Sequence, residues 1–381
     1  MEIKPRFRGF ICTNAHPDGC REQVRKQIEY IKEQPKITGP KNVLVIGASK
    51  GFGLAARIVS AFGAGANTIG IFSGKPGTAR RTASPGWYNT TALEEMANAE
   101  GIYAKNVNGD AFSHEIKQET IDLIRQDLGK VDLVVYSLAA GKRVDPSTGE
   151  SHYSVLKPIG TTYTNKTVDF HTGEVTQAEL TPATEQEIAD TVKVMGGEDW
   201  KEWIYALKEA DVLSEGAKTI AFSYIGPEMT FPIYRNGTIG QAKDHLEATA
   251  HELTKDLEAI NGQAIVTVCK GLVTQSSTAI PVVPLYISAL YKVMKEKGIH
   301  EGTIEQMHRL YRDFLYTDGT MLTDDQDRIR IDDWEMRDDV QQEVADIWEK
   351  VNSDNIYELT DLRGFREEFF HLFGFELDSV E

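Results

Sequence analysis

Cysteine is scarce in this chain: Cys12, Cys20 and Cys269 are the only three, an odd number without a dense framework. That count argues against a disulfide-stapled secreted scaffold and makes a reducing cytoplasm the expected setting. Long apolar runs are missing too, since no stretch approaches the roughly 18–20 residues of a membrane span. Met1 to Phe10 carries Glu2, Lys4, Arg6 and Arg8 in place of an apolar core, so no signal peptide is expected. Positive charge is in deficit, 41 Lys and Arg against 58 Asp and Glu, for a net charge of −17. A general nucleic-acid binder normally carries a basic face, so that class is disfavoured. A small polyanionic ligand needs only a local cluster, and Lys75, Arg80 and Arg81 form one. Metal-ligand spacing is also wanting. Cys12, His16 and Cys20 include no CxxC pair and no fourth partner, while His245, His251 and Glu252 disagree in helical phase; no metal is expected. There is no internal repeat and no low-complexity linker.

What is present is alternation. Val43-Leu44-Val45-Ile46 is a short continuous apolar run, the mark of a strand buried on both faces. A helix through Leu54, Ile58 and Phe62 follows, then a strand Thr68–Phe72, a third strand from Ile102 to Val107, and a helix through Ile116, Ile121 and Ile124. Val131–Tyr136 is the fourth strand. Strands alternating with helices imply right-handed crossovers and a parallel sheet. The expected fold class is therefore α/β, a Rossmann-like doubly wound parallel sheet. The alternation pauses over 141–216, a stretch with Pro146, Pro158 and Pro182, a hairpin-like His171-Thr172-Gly173-Glu174, and a helix around Asp199 to Ala210. It reads either as an insertion lying over the cofactor site or as a surface elaboration. The sheet resumes at Thr219–Ser223 and Ala264–Val268, separated by a long helix whose apolar positions run from Ala242 to Ile260. A C-terminal helical elaboration, 284–381, with Trp334, Trp348 and a Phe365–Phe375 cluster, is expected to pack on the core. The whole, 1–381, reads as a single enlarged Rossmann-type domain.

The turn Gly47-Ala48-Ser49-Lys50-Gly51-Phe52-Gly53 directly follows the first strand and opens a helix. Backbone can then approach a pyrophosphate, whose charge meets the helix N-terminus and its free N–H groups. The spacing G-x-x-x-G-x-G looks like the short-chain dehydrogenase/reductase variant; the bland alternative is a tight turn in an unrelated α/β protein. An acidic residue about 20 positions on usually binds the adenosine ribose. Here the second strand ends in Phe72-Ser73-Gly74-Lys75 without a carboxylate. Either Ser73 and Lys75, assisted by Arg80 or Arg81, meet a 2′-phosphate, or the loop is solvated and cofactor preference relaxed. Asp110 and Ala111 suit the adenine, and Ser137-Leu138-Ala139-Ala140 the ribose and nicotinamide, because both follow strand C-termini. Lys270-Gly271-Leu272-Val273-Thr274, after the last strand, suits backbone contacts to the carboxamide, and Ser276 to Pro284 the substrate pocket.

Tyr234 and Lys243 stand about 180 residues after that turn, with eight residues between them. Thr238-Ile239-Gly240-Gln241 reads as a capping box, placing Tyr234 just outside a helix and Lys243 in its second turn. Helical side chains lean toward the N-terminus, so the lysine reaches back toward the tyrosine and a bound ribose. A nearby ammonium is expected to lower the phenol's pKa and sharpen it as a proton donor. Tyr224 is a second phenol, and two donors facing one nicotinamide suit an oxyanion hole; each residue also has a plain packing reading. A carbonyl or hydroxyacyl reductase and a cofactor-sensing protein without turnover are the competing functions.

These residues resemble the FabV-type enoyl-[acyl-carrier-protein] reductases and trans-2-enoyl-CoA reductases, essentially end to end. The likeness is carried by Arg8-Gly9-Phe10-Ile11-Cys12-Thr13-Asn14-Ala15-His16-Pro17, the Gly47–Gly53 turn, Tyr136-Ser137-Leu138-Ala139, Ser223-Tyr224-Ile225-Gly226 and Tyr234-x8-Lys243. The resemblance implies reduction of the C=C bond of an enoyl-CoA or carrier-protein thioester by hydride from NADH, without flavin or metal, in fatty-acid metabolism, by a monomer. It makes Tyr234 the proton donor, Lys243 a ribose ligand and Tyr224 a substrate contact. It assigns the dinucleotide to Gly47–Phe52, Asp110, Ala111, Leu138, Ala139, Leu272, Val273 and Thr274. One departure stands out: the family has a glutamate where this chain has Gly74, and its absence implies acceptance of NADPH.

Overall fold

Seven runs pair into one sheet: β1 (Asn42–Ile46), β2 (Asn67–Phe72), β3 (Ala104–Asn108), β4 (Val131–Tyr136), β5 (Leu213–Ser223), β6 (Gln263–Val268) and β7 (Ile329–Arg330). The order is β7-β6-β5-β4-β1-β2-β3 and every pairing is parallel. This is a computed structural model describing residues 3–8, 11–275 and 277–377. Gly9 and Phe10 of the N-terminal motif and Ser276 of the expected pocket lie outside the described residues.

The helices that matter are α1 (Pro17–Glu33), α2 (Gly51–Ile58), α3 (Pro85–Ala99), α4 (His114–Asp127), α5 (Glu185–Met195), α6 (Glu198–Glu209), α7 (Thr238–Asp256) and α8 (Val283–Glu296). Side chains alternate across a strand, so β1 and β4 feed two cores. Val43, Val45, Leu133 and Val135 pack against α2 and α3. Leu44, Ile46, Val134 and Tyr136 pack against α4, α6 and α7. The sheet is thus doubly wound, as the sequence implied. β2 and β3 extend from one side of β1, and β4 to β7 from the other. Strand order reverses between β1 and β4, and a crevice opens at their C-terminal ends.

Several segments differ from the sequence reading. The pause at 141–216 holds two hairpins, Lys142–Val144 with Ser151–Tyr153 and, turning at the hairpin-like segment as read, Tyr163–Asp169 with Glu174–Leu180; the unforeseen α5 and then α6, the helix read around Asp199 to Ala210, follow. Helix α6 is part of the core: Trp200 and Trp203 are fully buried, their indole N–H groups donating to Thr219 Oγ1 at 2.8 Å and Ala111 O at 3.0 Å. Buried polar atoms need such partners, which fixes the two rings. Residues 284–381 are not helical throughout, because Ile329–Arg330 joins the edge of the sheet through Thr267↔Ile329 and Val268↔Arg330. Phe365, Phe369 and Phe370 are buried in the same apolar cluster as residues of α8. Helix α1, unmarked in the sequence reading, starts behind His16, whose Nδ1 accepts from Gly19 N–H at 3.2 Å.

Candidate active site

β1 ends at Ile46, and the chain must turn at once to enter α2. Gly47 has φ +87°, and a Cβ there would lie 2.2 Å from Ser137 O, so the turn passes directly beside the end of β4. A Cβ on Gly53 would lie 2.1 Å from Gly47 O, which holds the first turn of α2 against its own approach. No side chain caps α2, whose N-cap is Lys50. Lys50, Gly51 and Phe52 line the crevice, so the helix N-terminus favours an anion there.

The crevice is a cavity of about 730 Å³. Its wall gathers Gly47, Ser49, Lys50, Gly51, Phe52, Ser73, Asp110, Ala111, Leu138, Ala139, Tyr224, Tyr234, Lys243 and Thr274, all singled out from sequence. Four others are placed differently. Ala48 is fully buried and spends its N–H on Ile71 O at 2.9 Å. Leu272 and Val273 turn their side chains into the C-terminal core, and Val273 N–H donates to Tyr291 OH at 3.1 Å. Gly74 stands beside the wall, its N–H on Asn108 Oδ1 at 2.7 Å; a Cβ would meet the Phe72 ring at 2.5 Å. Lys142 and Met195 from the 141–216 segment also line the cavity, as do Leu372 and Phe373 from the far C-terminal end.

Tyr234 lies in a run of turns before α7, with its N–H on Thr230 O at 3.0 Å. That run folds back over the first turn of α7; Gly240 leaves the room, since a Cβ there would be 1.9 Å from Arg235 O. This doubled-back turn accounts for the long Tyr–Lys gap. Helix α7 begins at Thr238 as expected, but the capping box does not form. The Thr238 hydroxyl donates to Val155 O at 2.5 Å and accepts from Lys157 N–H at 3.3 Å, tying α7 to the 141–216 segment.

The expected electrostatics of the pair are corrected. Burial raises the Tyr234 pKa above its ordinary value, and Lys243 is not among the groups that shift it. The Lys243 ammonium donates to Phe222 O at 2.9 Å, and burial brings its pKa down to about 8. Tyr234 is therefore a firmly protonated phenol, and the two side chains reach the cavity separately. The oxyanion-hole reading of Tyr224 changes as well. Its ring meets Tyr234 edge to face, centroids 4.8 Å apart at 90°, but its hydroxyl donates to Glu335 Oε1 at 2.9 Å.

Glu335 was missed in the sequence. It is fully buried, sits in the turn after β7, and also accepts from Tyr286 OH at 2.6 Å and Gly271 N–H at 2.6 Å. Burial raises its pKa. Nothing in Asp332-Asp333-Trp334-Glu335 marks this one carboxylate among its neighbours; the flanking Trp334 and Met336 were the only hint of burial. Among the described residues no cluster of three His, Cys, Asp or Glu could hold a metal ion. His245, His251 and Glu252 go separate ways, to Gly197 N–H, Asp327 and Lys201. No described helix is long and apolar enough to cross a membrane.

Comparison with known proteins fits this geometry. Residues 81–316 match the family described as the trans-2-enoyl-CoA reductase catalytic region, and 2–79 the NAD(P)H binding domain of trans-2-enoyl-CoA reductase. Residues 323–381 match a region described as an enoyl reductase FAD binding domain. The glycines that could form a cradle in that segment are filled by protein: a Cβ on Gly364 would meet the Asp361 carboxylate at 2.3 Å, and one on Gly374 would meet Cys20 N at 2.4 Å. Neither glycine leaves an open cradle for a nucleotide. An enoyl-[acyl-carrier-protein] reductase [NADH] of Flavobacterium johnsoniae is 60% identical over 381 residues, covering 100% of this chain and 96% of that protein. A trans-2-enoyl-CoA reductase [NADH] of Ruminiclostridium cellulolyticum is 58% identical over 381 residues, with the same coverage of 100% and 96%. The crystal structure of Clostridium acetobutulicum trans-2-enoyl-CoA reductase in complex with NADH superposes with a TM-score of 0.98 at 45% identity, covering 100% of this chain and 96% of that one. With a Gly47–Gly53 turn at a switch point, a protonated Tyr234 in the same cavity and likeness along its whole length, this chain belongs to the FabV-type family of enoyl-[acyl-carrier-protein] and trans-2-enoyl-CoA reductases.

Proposed function

We propose that the chain reduces the C=C bond of trans-2-enoyl thioesters, carried on coenzyme A or on a carrier protein, with a nicotinamide dinucleotide as the reductant. The observation that carries this reading is one cavity lined both by the glycine turn and by the protonated Tyr234. A nicotinamide dinucleotide held in this cavity would supply the hydride that the substrate's Cβ receives. Gly47 and the open N-terminus of α2 take the pyrophosphate, with Asp110 and Ala111 at the adenine end and Leu138 and Ala139 nearer the nicotinamide. Lys243, whose ammonium donates to Phe222 O, would turn to a ribose hydroxyl of the bound dinucleotide. Tyr234 keeps its proton at neutral pH and gives it to the enolate, which becomes the saturated acyl thioester; solvent reprotonates the phenolate. Since the Tyr224 hydrogen is engaged by Glu335, Tyr224 serves the substrate as a wall of the pocket.

Both NADH and NADPH are accepted. β2 ends in Ser73 and Gly74 without a carboxylate, and Lys75, Arg80 and Arg81 are exposed beyond it, where a 2′-phosphate would lie. The enzyme acts as a cytoplasmic monomer, with residues 141–216 and 284–381 as an active-site insertion and a packed elaboration of one enlarged domain. Cofactor absorbance followed with crotonyl-CoA and with acetoacetyl-CoA tests the reaction. Turnover of crotonyl-CoA is expected; turnover of acetoacetyl-CoA alone would make this a carbonyl reductase.

A further inference from the structure

Glu335 ties one residue of the cavity wall, Tyr224, to the core behind it. Its Oε2 is held by Gly271 N–H at 2.6 Å and its Oε1 by Tyr286 OH at 2.6 Å, while Gln341 Nε2 donates to its backbone carbonyl at 2.7 Å. An ionised carboxylate only accepts hydrogen bonds, and two donors, one on each oxygen, already converge on it. The carboxylate is thus fixed before Tyr224 is considered. The geometry points to Glu335 as a positioning residue of the active centre: it draws the Tyr224 hydroxyl hydrogen away from the reacting groups and leaves Tyr234 as the one phenolic donor facing the substrate. This inference rests on the reading of the cavity given above.

The physical reason lies in the phenol. Its O–H rotates about one bond and points wherever the best acceptor stands. With Glu335 present, that acceptor is 2.9 Å away and charged, and charge-assisted bonds are the stronger kind. Remove the charge, and the Tyr224 hydrogen turns toward the enolate oxygen or the Tyr234 oxygen. Either choice competes with proton delivery. The Tyr224 ring, now 4.8 Å from Tyr234 in an edge-to-face contact, also loses the bond that fixes its tilt.

A double-mutant cycle on the full-length protein tests this, with crotonyl-CoA and NADH as probes and NADH binding as the folding check. E335Q keeps the shape but loses one acceptor, and kcat should fall by roughly tenfold to a hundredfold. In a Y224F background there is no hydroxyl left to position, so adding E335Q should cost less than about threefold. Should E335Q not fold, E335D carries the same two arms, since it keeps the charge but withdraws the oxygens by one methylene. Equal losses in both backgrounds would mean that Glu335 acts independently of Tyr224, and so would an unchanged kcat overturn the proposal. A wild-type chain inert toward crotonyl-CoA would instead sink the enoyl-reductase reading, so the two failures are distinguishable.

Discussion

Replacing Gly47 by alanine probes the turn on which the cofactor site is built. The residue sits at φ +87°, a region that costs an L-residue about 1–2 kcal/mol. The new Cβ would stand 2.2 Å from Ser137 O and 2.7 Å from Ser137 C, both backbone atoms that cannot swing aside. An ordinary carbon–oxygen contact is about 3.3 Å, so turn and strand end must part by roughly an ångström. Overpacking of that kind costs about 1–3 kcal/mol, for a total of about 2–5 kcal/mol. Gly53→Ala isolates the second part: its Cβ meets Gly47 O at 2.1 Å, but its φ is not left-handed. The penalty can appear as lost stability, or the turn can shift into the cavity and weaken the cofactor. Urea unfolding and NADH fluorescence titration together capture both routes. The combined cost of G47A should exceed that of G53A by about 1–2 kcal/mol, close to a tenfold factor. A G47A protein with unchanged unfolding and an NADH Kd within about twofold of wild type would refute the reasoning.

Three further outcomes follow from the site. The Lys243 pKa lies near 8, so its ammonium is charged below that pH and lost above it; kcat/KM for the cofactor should fall as pH rises through about 8, while K243R should push that limb upward, and a wild-type profile flat to pH 10 would contradict this. Lys75→Ala should weaken kcat/KM for NADPH by roughly fivefold, the value of an exposed charge contact near 1 kcal/mol, and leave NADH unchanged; equal effects on both would remove Lys75 from the 2′-phosphate. Lys117 and Asp199 form a buried pair at 2.7 Å, and Asp199 also accepts from Tyr136 OH at 3.0 Å. Asp199→Ala removes the nearest counter-charge of a buried ammonium and leaves it Phe112 O at 3.0 Å and Glu202 Oε2 at 3.4 Å; it should cost about 3 kcal/mol in urea unfolding, against little change if the pair is dispensable.

Core strands buried on both faces were legible as short apolar runs, Val43–Ile46 within β1 above all, and Val131–Tyr136 agrees residue for residue despite Asp132. β7 was not, since two residues have no period to read. Helix α5 carried a readable signal, the Thr184–Glu187 capping box that does form, but the prolines and threonines before it obscured its start. The box at Thr238 has the same sequence form and fails, because the hydroxyl finds Val155 O from another segment. Local pattern cannot decide between two such acceptors. The glycine turn and Tyr234 were legible for a related reason: backbone geometry and chain order define them. The electrostatics were not, because the Tyr234 and Lys243 pKa values are set by burial, and the Tyr224 hydrogen is claimed by a residue more than a hundred positions away.

Tyr234→Phe is the most direct measurement of the central claim. It removes one oxygen from the cavity and leaves the glycine turn, α2 and Lys243 in place. Single-turnover mixing of the variant with NADH and crotonyl-CoA, alongside an NADH titration, separates chemistry from binding. Proton transfer by a positioned side chain contributes about 10²–10⁴-fold, so reduction should slow by that factor while the NADH Kd stays within about threefold of wild type. A Tyr234→Phe enzyme that reduces crotonyl-CoA at the wild-type rate would contradict the account.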